Sequence, residues 1–185
     1  MSCKLEVKNL RISFRTDAGR LQAVRDISFS VASGRTLAIV GESGSGKSVT
    51  SRAIMGLLAG NAVIEGGQIL LEGRDLLQLT PDQWCAVRGR RIAMVFQDPL
   101  SCLNPVMQVG RQITEAMRNA GLSRAQARRR AIELMGEVGI PLPERRFHDY
   151  PFQLSGGMRQ RIVIAIALAS DPEVLICDEP PRPWM

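Results

Sequence analysis

The chain has 185 residues, of which 45% are hydrophobic and 23% are charged, a composition that indicates a globular protein and excludes a largely disordered one. Its formal net charge of +6 would suit an anionic partner, but aromatic residues make up only 4% of the chain. That is too few for a base-stacking platform, so we expect no nucleic-acid partner. The amino terminus has no signal-peptide core, and the longest apolar run, 162–169, is far shorter than the roughly 20 residues that span a bilayer.

The first part of the chain alternates between apolar and polar side chains, as β-strands do. This pattern covers Leu5–Phe14 and Ala23–Val31, with a turn at 17–19 between them. An antiparallel β edge is therefore predicted before residue 32. The uniformly apolar segment Leu37–Val40 is predicted to be a buried parallel strand.

The stretch Gly41–Ser48 matches the phosphate-binding pattern G-x-x-x-x-G-K-[ST] at every fixed position. Its glycines let the backbone turn tightly, so that successive N–H groups face an anion at the start of the helix predicted over Val49–Leu58. Lys47 is expected to reach the β- and γ-phosphates, and the Ser48 hydroxyl to hold Mg²⁺. The predicted nucleotide-binding residues are Phe14, Gly41, Ser43, Gly44, Ser45, Gly46, Lys47, Ser48 and Val49. For Phe14, stacking on a base and packing in the core both remain open.

The rest of the chain mixes strands with a helical segment. A capping pattern at 80–83 predicts a short helix, and two helices follow one another over 109–120 and 123–138 with no strand between them. Another helix is expected to begin at Ser155. The predicted strands are Gly67–Glu72, Arg91–Phe96 and Val174–Cys177, the last of them buried.

Two adjacent carboxylates, Asp178 and Glu179, follow the last of these strands. The carboxyl ends of strands in a parallel α/β sheet are where ligands bind. In a chain with a phosphate-binding loop, the pair suggests a division of labour, with Asp178 acting on Mg²⁺ and Glu179 polarising the attacking water.

The ordered set of motifs resembles the ABC ATPase family. The family's Walker A motif corresponds to Gly41–Ser48, its Q-loop to Gln97, its signature to Leu154–Gln160 and its Walker B motif to Val174–Glu179. The resemblance runs from about residue 5 to residue 180. It implies an α/β P-loop NTPase core with an antiparallel β subdomain and a helical insert.

The resemblance also implies a domain organisation. Residues 1–96 would form the nucleotide-binding core with its β subdomain, and 97–154 the Q-loop and helical subdomain. Residues 155–180 would form the signature helix and the Walker B strand. Residues 181–185 would be an aberrant tail.

The stretch 97–105 looks like the ATPase subunits of dipeptide and oligopeptide importers, which also serve nickel and glutathione systems. That resemblance implies ATP and Mg²⁺ as cofactors, and a peripheral position on the cytoplasmic face of the inner or plasma membrane. Phe14 would stack on adenine, and Gln97 would sense Mg²⁺ and couple to the membrane-spanning subunits.

Catalysis would use Glu179, Lys47 and Gln97, and Mg²⁺ would be held by Ser48, Gln97 and Asp178. The signature residues Ser155, Gly156, Gly157 and Gln160 would contact the γ-phosphate held by the opposite subunit of a head-to-tail homodimer or heterodimer.

The tail departs from the family pattern. After Asp-Glu-Pro the family continues into a loop resembling Thr-Thr-Ala-Leu-Asp and later a strand with a switch histidine, whereas this chain continues as Pro181–Met185. A one-nucleotide deletion after the codon for Pro180 would produce such a tail, so we hypothesise a frameshift. The expected result is a truncated, impaired ATPase with the C-terminal part of its core sheet missing.

Three alternative functions remain open at the level of sequence. The first is a regulatory module that binds a nucleotide without hydrolysing it. The second is a soluble ABC ATPase that acts on ribosomes or DNA, which the importer-like stretch after Gln97 disfavours. A small-molecule P-loop kinase is the third and the weakest, because it gives no reason for Leu154–Gln160.

Overall fold

A computed structural model describes residues 3–96, 102–119 and 121–178. The chain divides into two compact units, residues 1–85 and 86–185. Among the described residues, none of the helices combines the length and the apolar character needed to cross a bilayer.

The first unit is built on a four-stranded antiparallel sheet in the order β2-β1-β3-β4. Its strands are β1 (Cys3–Thr16), β2 (Gly19–Ala32), β3 (Ala62–Leu71) and β4 (Arg74–Asp75). The apolar positions of the alternating pattern form the core, with Leu5, Val7, Ile69 and Leu71 at most 3% exposed. The predicted antiparallel edge is confirmed.

A bulge bends β1 and β3 near the middle of the sheet, where the register shifts between Lys8 and Arg11. Gly67 makes the bulge possible, because its φ is +98° and a Cβ there would lie 2.6 Å from the backbone of the opposite strand. Leu10, inside the bulge, and Ile12, just after it, are both fully buried.

Three short helical segments complete the first unit and its border. They are α1 (Lys47–Ile54), a 3₁₀ turn (Leu76–Gln78) and α2 (Pro81–Val87). The predicted cap of α2 is confirmed, since Thr80 N–H donates to Gln83 Oε1 at 3.0 Å and Gln83 N–H donates to Thr80 Oγ1 at 3.4 Å.

The predicted buried strand Leu37–Val40 is wrong. This segment has no regular structure, and Leu37, Ile39 and Val40 are 44%, 48% and 89% exposed. A parallel strand is buried only when neighbouring strands accept its backbone hydrogen bonds and helices cover its faces. No strand of residues 3–96, 102–119 or 121–178 pairs with this segment.

The second unit combines a parallel strand pair with a helical cluster. The pair is β5 (Ile92–Val95) and β6 (Val174–Cys177), in register from Ile92 opposite Val174 to Val95 opposite Cys177. Every residue of β5 is buried, whereas Leu175 in β6 is 38% exposed and Cys177 is also exposed. The prediction of a buried β6 is therefore wrong: its other two residues, Val174 and Ile176, are only half-buried, and only one side of this strand is paired among the described residues.

Four helices and a 3₁₀ turn make up the cluster. They are α3 (Val109–Asn119), α4 (Arg124–Glu137), α5 (Pro143–Arg146), the turn (Pro151–Gln153) and α6 (Gly156–Leu168). A capping box at 123–126 begins α4, and the apolar faces of α3 and α4 are buried with Ile162 and Val163 of α6 in one core. The ring of Phe147 packs directly on the backbone of α3 at Gly110, which has no side chain to prevent this contact.

Candidate nucleotide-binding site

The stretch 41–46 folds as a compact loop that leads directly into α1. Gly44 and Gly46 have φ angles of +80° and +91°, in the left-handed region that favours glycine. Ser45 N–H donates to Glu42 O at 3.2 Å, and Thr50 N–H and Oγ1–H both donate to Gly46 O at 2.9 Å. These bonds tie the loop to the first turn of the helix.

Gly46 also lies against strand β2. A Cβ at this position would lie 2.6 Å from Ala23 O and 3.3 Å from Val24 Cγ2. The third fixed glycine of the pattern is therefore required for packing as well as for its backbone conformation. This contact fixes the loop to one face of the antiparallel sheet.

Lys47 bends back over the loop that precedes it. Its Nζ donates to Gly41 O at 2.8 Å and to Glu42 O at 2.7 Å, with a longer bond of 3.4 Å to Ser45 Oγ. The ammonium group is thus held at the loop whose N–H groups would face the phosphates, and its role as a phosphate-binding lysine stays a prediction.

The amino-terminal turn of α1 is suited to an anion. Its N-cap is Gly46, no side chain among the described residues caps it, and the first turn contains no acidic residue. The unpaired N–H groups at a helix start and the helix dipole both favour negative charge. Ser48 and Val49 lie in this turn, and Ser43 lies in the exposed part of the loop.

Phe14 lies in β1, where it is half-buried. Its pairing partner in β2 is Leu21, and its pairing partner in β3 is Ala62. Leu21 is 61% exposed, which is unusual for a large aliphatic side chain inside a strand. The sequence gives no signal for this residue, since its position opposite Phe14 depends on the register of two strands.

The predicted signature lies in the second unit, at the start of α6. Ser155 is the N-cap, and its Oγ accepts a hydrogen bond from Met158 N–H at 3.3 Å. A Cβ on Gly156 or Gly157 would meet nothing within 4 Å, so this helix start faces open space. Gln160 follows in the second turn, half-buried.

Asp178 follows β6 at the carboxyl end of the parallel pair. It is only 7% exposed, and its N–H extends the ladder by donating to Val95 O at 3.0 Å. Beside it, partial desolvation raises the pKa of the Cys177 thiol above its usual value, although the residue as a whole is exposed.

Hard oxygen donors are the ligands that Mg²⁺ prefers, and the Ser48 hydroxyl and the Asp178 carboxylate fit that preference. Within the described ranges, no group of three or more His, Cys, Asp or Glu residues could hold a metal ion. Mg²⁺ is usually held by one or two protein ligands together with substrate phosphates.

The phosphate-binding loop, Lys47, Ser48 and Phe14 belong to the first unit, and Asp178 and the signature belong to the second. Gln97 and Glu179 lie outside the described residues, as does the tail 181–185. The roles predicted for Gln97 and Glu179 therefore stay predictions.

Comparisons with known proteins identify the family. The family model described as ABC transporter matches residues 24–182. The dipeptide transport ATP-binding protein DppD of Lactococcus lactis is 57% identical over 178 residues, which are 95% of this chain and 51% of that protein. The oligopeptide transport ATP-binding protein OppD of Bacillus subtilis is 53% identical over 178 residues, 95% of this chain and 50% of that protein. The chain thus spans about half the length of these curated relatives.

The fold agrees with solved structures. One is the ATP-binding cassette MJ0796 in a dimeric, post-hydrolysis state bound to ADP and Pi, with a TM-score of 0.83, 26% identity, and coverage of 95% of this chain and 74% of that chain. A second structure, of dimeric MJ0796 described as a bacterial ABC transporter cassette, matches equally well. The predicted ABC ATPase fold is confirmed. On its sequence motifs, its fold and these matches, the chain belongs to the ABC transporter family, as an ATP-binding cassette.

Proposed function

We propose that this chain binds Mg-ATP through the loop at 41–48 and belongs to the ATP-hydrolysing subunit of an importer for peptides or related small solutes. One observation carries the proposal. A glycine-rich loop is fixed to β2 at Gly46, is closed over by the Lys47 ammonium, and leads into a helix start that no described side chain caps. Such an arrangement favours the binding of an anion, and the spacing of the fixed residues is that of a phosphate-binding loop.

Each residue of the proposed site has a distinct task. The N–H groups of the loop and of the first turn of α1 bind the phosphate oxygens, and Lys47 neutralises charge on the β- and γ-phosphates. Ser48 and Asp178 hold Mg²⁺, which offsets the charge that develops on the phosphates during transfer. Glu179 orients and polarises the attacking water, and Gln97 senses the metal.

We further propose that two such cassettes act as a head-to-tail pair. The exposed start of α6 supports this step, because Ser155, Gly156 and Gly157 present a second anion-binding helix terminus to open space. In the pair, this terminus of one subunit would bind the γ-phosphate held by the other, with Gln160 beside it. The solved relative MJ0796 is dimeric by its description.

The peptide-importer assignment rests on relatives named dipeptide and oligopeptide transport ATP-binding proteins, at 57% and 53% identity. Its partners would be membrane-spanning importer subunits, and its position would be peripheral on the cytoplasmic face of the membrane. Purification of the tagged chain from detergent-solubilised membranes should co-purify those integral subunits. Recovery of nucleic acid or ribosomes in their place would contradict the importer assignment.

ATP binding is tested by comparing two substitutions that each remove one positive charge from α1. Lys47→Met removes the ammonium at the loop, and Arg52→Met removes an exposed guanidinium from the last turn of the same helix. Calorimetric titration with Mg-ATP should show at least about a tenfold loss of affinity for Lys47→Met, because a charge-assisted contact is lost. Arg52→Met should bind as the unmodified chain does.

Equal affinities for the unmodified chain and Lys47→Met would contradict the proposed site. Hydrolysis is measured separately, as phosphate released per chain. Binding without phosphate release would favour a regulatory nucleotide-binding module over an importer ATPase.

A further inference from the structure

We propose that an arginine-rich corner between α3 and α4 binds the anionic headgroups of a membrane directly, in addition to any contact with membrane-spanning subunits. The corner consists of Arg90, Arg118, Arg124 and Arg128, and we name it the basic corner. The inference rests on the proposed function for one point, that the chain works beside a membrane leaflet with negative surface charge.

The sequence concentrates positive charge at this corner. The segment 116–132 contains five arginines and no aspartate or glutamate. The acidic residues on either side of it are Glu115 and Glu133, and Glu133 forms ion pairs with Arg129 at 3.0 Å and with Arg130 at 3.7 Å. Within the described ranges, none of the four corner arginines forms an ion pair with a carboxylate. Their charge is therefore available to a partner.

The fold brings the four side chains to one place in the second unit. Arg118 lies in the last turn of α3, which ends at Asn119. Arg124 begins α4, and Arg128 follows one helical turn later on the same face. Arg90 reaches the end of α3 from the segment before β5, where its Nη2 donates to Asn119 O. All four arginines are exposed.

The charges of α4 oppose the dipole of the helix. Its first turn contains Arg124 and no acidic residue, its last turn contains no basic residue, and Glu137 ends it. The start of a helix favours negative charge and its end favours positive charge, so this order lowers the stability of α4. Sequences retain such local conflicts mainly at functional sites. Positive charge kept here at a cost in helix stability points to an anionic partner.

A headgroup surface fits the corner better than a nucleic acid does. A duplex lying along the exposed side of α4 would meet the carboxylates of Glu133 and Glu137, which repel phosphates. The Phe147 ring, with the Arg128 guanidinium 5.0 Å from its centroid, is buried and offers no surface for stacking a base. A lipid surface requires only positive charge at one edge of the protein.

The test measures binding of the full chain to lipid vesicles by flotation, because aggregated protein does not float. The chain should float with vesicles of phosphatidylcholine and phosphatidylglycerol and not with vesicles of phosphatidylcholine alone. Arg118→Gln with Arg124→Gln should weaken this binding by about 3- to 20-fold, because two charges near the surface are lost. Arg118→Lys with Arg124→Lys should bind nearly as the unmodified chain does. Arg25→Gln with Arg35→Gln is the matched control, since it removes two charges from exposed positions of the first unit.

The outcomes separate this inference from the proposed function. A loss confined to the glutamine pair at the corner, with further release by added salt, supports the basic corner. No flotation, equal flotation with neutral vesicles, an equal loss in the control or in the lysine pair, or no loss in the glutamine pair would overturn it. Binding to a DNA duplex without flotation would assign the corner to nucleic acid and would overturn it as well. Flotation requires neither nucleotide nor importer subunits, so these results leave the ATP site standing, whereas a chain that floats but does not bind ATP would contradict the proposed function alone.

Discussion

Gly46 combines a backbone conformation and a packing position that exclude any side chain. Its φ is +91°, and a Cβ would lie 2.6 Å from Ala23 O, a backbone atom of a paired strand. Gly44, three positions after the start of the loop, has a φ of +80° but open space around it. A side chain at Gly44 would therefore cause conformational strain alone, whereas a side chain at Gly46 would cause both strain and steric overlap.

We predict that Gly46→Ala destabilises the chain more than Gly44→Ala. Both substitutions cost about 1–2 kcal/mol for the left-handed conformation, and Gly46→Ala adds about 1–3 kcal/mol of overpacking against β2. Urea unfolding monitored by circular dichroism measures the difference. Equal unfolding free energies for the two variants would show that the contact with Ala23 relaxes without cost.

The local residues of the site could be predicted from sequence, and the residues that depend on sheet pairing could not. Gly41 to Ser48 carry their signal in fixed spacing, because loop, lysine and helix start are consecutive in the chain. Leu21 carries none, since its relation to Phe14 arises only from the register of two strands. A contact made across strands can be predicted only when the register of the strands is known.

At the scale of the elements, α3 is packed against Phe147, a contact that the sequence of α3 alone does not predict. The Phe147 ring packs on the α3 backbone at Gly110, and Gly110 N–H donates to Phe147 O at 3.1 Å. On its other sides the ring meets the Arg128 guanidinium, 5.0 Å from the centroid, and the His148 ring, edge-on at 5.2 Å. Phe147 is only 5% exposed in this arrangement.

We predict opposite effects for two glycine-to-alanine substitutions in the helical cluster. Gly110→Ala should destabilise the chain by about 1–3 kcal/mol, because the new methyl group overlaps the Phe147 ring. Gly136→Ala, at an exposed position of α4 with its nearest neighbour at 4.0 Å, should stabilise it by about 0.5–1 kcal/mol through helix propensity. Thermal unfolding of both variants checks the signs. A stabilising Gly110→Ala would contradict the packing described here.

Helices were easier to predict than the parallel strands, for a physical reason. The capping residues Thr80, Ser123 and Ser155 act within a few positions of themselves, and the structure places all three at helix starts. The segment Leu37–Val40 has the composition of a buried strand, yet composition does not supply a pairing partner. Whether this segment is buried depends on strands that pair with it, and its own residues do not supply them.

For the molecule as a whole, the exposed apolar segment at 37–40 is a liability. Leu37 and Ile39 are nearly half exposed, and Val40 is almost fully exposed. Unpaired apolar segments with strand propensity associate edge to edge.

We predict that the chain self-associates with increasing concentration and that the double substitution Leu37→Lys with Ile39→Lys reduces this. Two charges on the segment oppose strand-to-strand contact. Leu142→Lys is the control, because Leu142 is 65% exposed in a different part of the chain. Light scattering over a concentration series measures the effect. A monodisperse unmodified chain, or an equal improvement from Leu142→Lys, would contradict a role for this segment.

The proposed functional residues belong to two different units, and this has a genetic consequence. The residues proposed to hold base and phosphates lie between Phe14 and Val49, in the first unit, whereas Asp178 and the signature lie in the second. Capture of ATP and its turnover can therefore be lost by separate mutations. An allele damaged only in the second unit is therefore expected to keep its affinity for nucleotide and to lose phosphate release.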